Sequence, residues 1–81
     1  VLPKNVLESI VVEAMLRHRF LRDVAELRLA ELRDEARGRD AFDSARLAYI
    51  RAMIECYAQQ ACLSTLLDVL GYVPDMPTEQ E

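Results

Sequence analysis

Eighty-one residues, 52% of them hydrophobic and 30% charged, hold one hydrophobic core and leave no room for a second domain. Asp plus Glu outnumber Lys plus Arg by 14 to 10, a net charge of −4, so the cation excess needed to wrap DNA or RNA is missing. The one histidine, His18, and the two cysteines, Cys56 and Cys62, fall short of the four ligands of a structural zinc site, and no other residue pattern asks for a metal or cofactor.

The helix breakers are Pro3, Gly38, Gly71, Pro74 and Pro77, and they divide the chain into two long stretches. This predicts an all-α fold, a helical hairpin. The first apolar run, 6–16, carries Glu8 and Glu13 and lacks a small-residue cleavage site, so it does not read as a signal peptide. The chain opens on Val1 rather than Met, which points to a missing N-terminal piece. Asn5 is placed to cap the first helix, with Glu8 reaching back from three residues on, and Gly38 to close it. The expected boundaries are a helix over 5–37, a bend over 38–43 and a second helix over 43–70 with Asp40 or Asp43 as its cap. Gly71 then permits a left-handed turn, Tyr72 folds back on Leu67, and Pro74 forbids continuation. Residues 1–74 form one domain, and the acidic, Pro-containing 75–81 a disordered tail.

Each predicted helix is apolar on more than one side. The first carries Leu7, Ile10, Val11, Ala14, Leu21, Ala25, Leu29 and Leu32 on one stripe with His18 at its centre, and Leu16, Phe20, Val24 and Leu27 nearly opposite. The second places Leu47, Ile50, Ile54, Tyr57, Ala58 and Ala61 on one side and Tyr49, Met53, Cys56, Leu63 and Leu67 on another. One partner helix cannot cover both sides, so two hairpins are expected to form a homodimeric four-helix bundle, with Ile10, Ala14, Leu21, Ile50, Ile54, Leu63 and Leu67 in its core or dimer contact. The span 47–67 has the length of a membrane crossing, but Arg51, Glu55, Gln59 and Gln60 within it argue against one.

Little in the chain points to catalysis. There is no Gly-rich phosphate loop, no HExxH, GxSxG or CxxC pattern, and one histidine alone supplies no converging nucleophile, base and orienting group. His18 reads as a partly buried core histidine with one hydrogen bond. Cys56 and Cys62 are six residues apart on different sides of one helix, a poor geometry for a disulfide, and read as small apolar fillers, reduced as in a cytoplasmic protein. Arg17, Arg19, Arg22, Asp23, Glu26, Arg33, Asp34 and Glu35 mix both signs, as on a solvated helix face with weak pairs such as Arg22 with Glu26.

The run LESIVVEAMLRHR over 7–19, the pattern YIxAxIExxAQ from Tyr49 to Gln59, and LxTLxxxLG[FY][IV]P from Leu63 to Pro74 resemble the TraM family over most of 3–74, least over 29–46. The resemblance implies a quorum-sensing antiactivator of conjugal plasmid transfer. Such a protein binds a LuxR-type transcriptional activator, TraR, through the activator's DNA-binding domain and holds it off DNA, without touching nucleic acid or membrane itself. The resemblance also implies two long antiparallel helices dimerising into a four-helix bundle, and partner contacts at the positions matching Leu7, Leu32 and Tyr49. A dimer-core role for Leu7 and Leu32 is the competing reading. Relatives carry a further segment before the position matching Pro3. Two alternatives belong to other classes: a helical adaptor or chaperone with no role in transcription, and an RNA-binding bundle, which would need a basic face, and none dominates here.

Overall fold

Thirty-one consecutive residues without glycine or proline wind into one helix, α1 (Lys4–Asp34), and thirty-two more into a second, α2 (Arg39–Leu70). The computed structural model describes residues 2–34 and 38–75. Each helix is about 46 to 48 Å long at 1.5 Å per residue. They run antiparallel as the expected hairpin, with His18 of α1 beside Cys56 of α2 and Ala14 beside Gln59.

The ends differ in detail from the expectation. α1 starts one residue before Asn5, so Asn5 lies inside the helix and does not cap it. The Pro3 carbonyl takes the amides of Val6 and Leu7 at 3.1 and 3.0 Å, and a proline brings no N–H of its own to be satisfied there. The expected end of α1 falls on 35–37, outside the described residues. Gly38 precedes α2 rather than closing α1: its backbone is extended (φ 169°) and its carbonyl accepts from the Phe42 amide at 3.0 Å. Asp40 and Asp43 are therefore helical, with Asp40 in the first turn, where a carboxylate meets the positive end of the helix dipole. At the far end Gly71 is left-handed (φ 91°) and its amide reaches the Leu67 carbonyl at 2.8 Å, as its position predicts.

The helices meet along small side chains. Ala14, Ala25, Ala52 and Cys56 are buried between them, letting the axes approach closely, while Val11 (0% exposed), Leu21 and Leu70 (1%) supply the bulk. Gln59 ties the pair together by donating from Nε2 to the Ala14 carbonyl at 3.3 Å. The whole is a slab of 53 × 31 × 14 Å, one helix thick. That thickness decides where the predicted core residues fall. Ala14 and Leu21 are buried and Leu63 and Leu67 half-buried, but Ile10, Ile50 and Ile54 are exposed, Ile54 by 62%. A helix with a single neighbour has one covered side, and these three point elsewhere.

Candidate partner interface

Three clusters of side chains organise the surface of the hairpin. The first lies midway along it, where Tyr49, Met53 and Cys56 on one side of α2 face Arg22, Ala25, Glu26 and Leu29 of α1 across a cleft of about 220 Å³. Turns of α2 spaced three and four residues apart bring Tyr49, Met53 and Cys56 into line, which is how their stripe was read from sequence. Tyr49 is half-buried, and Arg22 and Glu26 set one charge of each sign beside an otherwise apolar lining. The cleft's floor includes Cys56, whose Sγ lies 3.9 Å from Nε2 of His18, so the histidine is the partly buried, once-bonded residue its stripe position predicts. Cys62 departs from expectation: it is exposed and fills no gap in this hairpin.

The second cluster closes the open end. Leu2, Lys4 and Leu7 from the start of the chain and Val69 from the end of α2 line a shallow cleft. Beyond it the chain turns at Gly71 and brings Tyr72 to the start of α1. The Lys4 ammonium sits 5.8 Å from the Tyr72 ring centroid, a cation–π distance, and the Glu8 carboxylate is close enough to act on the Tyr72 hydroxyl. Loss of water around that hydroxyl, then the influence of the Glu8 carboxylate, raise the Tyr72 pKa above its ordinary 10.0. Pro74 is buried, which anchors the end of the turn.

The third is the outer side of α2. Leu47, Ile50, Ile54 and Tyr57 all face solvent, and on α1 Leu16, Phe20 and Leu27 do the same. Among the described residues no helix is long and apolar enough to cross a membrane, and no group of three or more His, Cys, Asp or Glu residues could hold a metal ion.

The positions singled out from sequence are far apart here. Leu7 and Leu32 are both half-buried but separated by twenty-five residues of one helix, about 38 Å along its axis. Tyr49 lies between these levels, opposite Ala25 and Leu29. One hairpin therefore does not gather the three into a single patch. Sequence reasoning missed Arg22, Glu26 and Met53 as the surroundings of Tyr49, and the meeting of Tyr72 with Lys4 and Glu8. The first could be read from the shared stripe of Tyr49 and Met53; the second has no local signal, since it joins the two ends of the chain.

The profile of a family described as Prokaryotic Transcriptional repressor TraM matches residues 1–75, both helices and the closing turn. The chain belongs to the TraM family. Two relatives carry the description Transcriptional repressor TraM. That of Agrobacterium fabrum strain C58 is 34% identical over 70 residues, covering 85% of this chain and 69% of the relative. That of Rhizobium radiobacter is 34% identical over 74 residues, covering 90% and 72%. No solved structure gives a significant match. Membership makes the hairpin a TraM-type repressor of transcription, a regulator and not an enzyme.

Proposed function

We propose that this TraM-family hairpin represses as an antiactivator: it binds a LuxR-type quorum-sensing activator of the TraR kind on its DNA-binding domain and keeps it from its operator, silencing conjugal transfer genes. The observation that carries this reading is the family match across 1–75. The charge supports it, because a chain of net charge −4 is a poor ligand for DNA and a suitable one for the basic surface of a DNA-binding domain. Tyr49 is the proposed central anchor, an aromatic at an apolar cleft of the kind that dominates interface energies, with Leu7 and Leu32 as further contacts. The working unit is a homodimer, two hairpins pairing into a four-helix bundle through Ile10, Ile50, Ile54, Leu63 and Leu67, in the cytoplasm. The exposure of Ile10, Ile50 and Ile54 supports this, since burying each such side chain is worth about 1.5 to 3 kcal/mol.

The test is a gel-shift titration of a purified LuxR-type activator from the same host, bound to operator DNA. Disappearance of the shifted band at near-stoichiometric hairpin, with no shift by the hairpin alone, is the expected result. An unchanged band rejects antiactivation and leaves a helical adaptor or chaperone.

A further inference from the structure

The first turn of α1 is weakly held by its own sequence. It has no acidic residue to meet the helix dipole, and Leu2 through Val6 are exposed. What touches it comes from the other end of the chain. Leu70 is fully buried, Gly71 turns the backbone left-handed, Tyr72 lies against Lys4 and Glu8, and buried Pro74 pins the segment beyond. Leu7 lies one turn beyond Lys4, the residue under the Tyr72 ring, and Lys4 and Leu7 line one cleft with Val69.

We infer that Tyr72 is a positioning residue for Leu7: by bracing Lys4, which lines the same cleft, the segment after α2 holds the first turn of α1 so that Leu7 is presented at the open end of the hairpin. This rests on the reading that Leu7 contacts the activator, and it adds a residue that touches no partner but sets the geometry of one that does. Bracing removes conformational freedom before binding, so its loss is felt as weaker affinity without loss of fold.

The experiment is a double-mutant cycle on the full chain, read as Kd for the activator. Tyr72→Ala is expected to weaken binding by roughly tenfold, and to have no further effect in a Leu7→Ala background, because the two substitutions remove the same interaction. Tyr72→Phe keeps the ring over Lys4 and loses the hydroxyl, so it should fall between wild type and Tyr72→Ala; circular dichroism on all variants checks that the helices persist. Losses that multiply in the double variant, or a Tyr72→Ala protein that binds normally, overturn the inference while leaving Leu7 as a contact. A Leu7→Ala protein that binds normally overturns both the inference and the contact assignment beneath it. If Tyr72→Ala unfolds the chain, Tyr72→Phe carries the cycle, and multiplicative losses there reject the inference equally.

Discussion

Tyr49 and Tyr72 put similar side chains to different uses. Tyr49 borders an apolar cleft with a charge of each sign beside it, and truncating such an anchor costs about 2 kcal/mol of binding, about thirtyfold in Kd. Tyr49→Ala is therefore expected to need far more protein to clear the activator from DNA while keeping its helicity, and normal repression by that variant would remove Tyr49 from the interface. Tyr72 makes a prediction about pH. Its neutral form is favoured in the folded chain, because the folded pKa lies above the ordinary 10.0; the stabilisation is fully present below pH 10.0 and is lost as pH rises through the folded value. The difference in tyrosinate absorbance between wild type and Tyr72→Phe should give a midpoint above 10.0, and a midpoint at 10.0 or below would mean that the hydroxyl is neither short of water nor influenced by Glu8. Positions that depend on one helix's periodicity, such as His18 or the line of Tyr49, Met53 and Cys56, were legible in the sequence. Cys62 was not: a small apolar residue carries no mark of which side its neighbour will cover.

At the level of elements, the two helices and their antiparallel path follow from where glycine and proline are absent. Their ends were less readable. Asn5, Asp40 and Asp43 are all good capping residues by type, yet Pro3 and Gly38 stand at those boundaries, because a backbone carbonyl serves a helix start as well as a side chain whose geometry must also fit. Gly71 was readable because its requirement is steric and strict. A Cβ there would meet nothing within 4 Å, so Gly71→Ala is opposed by the backbone alone, by about 1 to 2 kcal/mol for a left-handed alanine. Urea denaturation should show that loss and a smaller one for Gly71→Asn, which tolerates the conformation better. Equal stability of Gly71→Ala and wild type would mean that the turn has another form in solution.

For the molecule as a whole, apolar periodicity put hydrophobic residues on more than one side of each helix, and the slab leaves Ile50, Ile54 and Tyr57 exposed. Which of the two apolar sides faces the hairpin partner and which faces outward was beyond the sequence, since both stripes are similar in content. The proposed pairing of hairpins is tested by Ile54→Asp. Ile54 touches little in the single chain, so the substitution should spare the hairpin, but a carboxylate buried at a symmetric contact penalises both copies. A loss of about 3 kcal/mol corresponds to roughly a hundredfold in the dimer Kd, readable by sedimentation equilibrium. An unchanged dimer would move the contact to another side.

The 14 Å thickness has a consequence for dosage. A plank one helix deep has little interior, and in the proposed pairing a second copy would add protection by mass action. With pairing, the lifetime of the repressor falls as its concentration falls. Under the proposed function, dilution by growth would then remove it faster than in proportion, and release of the activator would be abrupt rather than gradual.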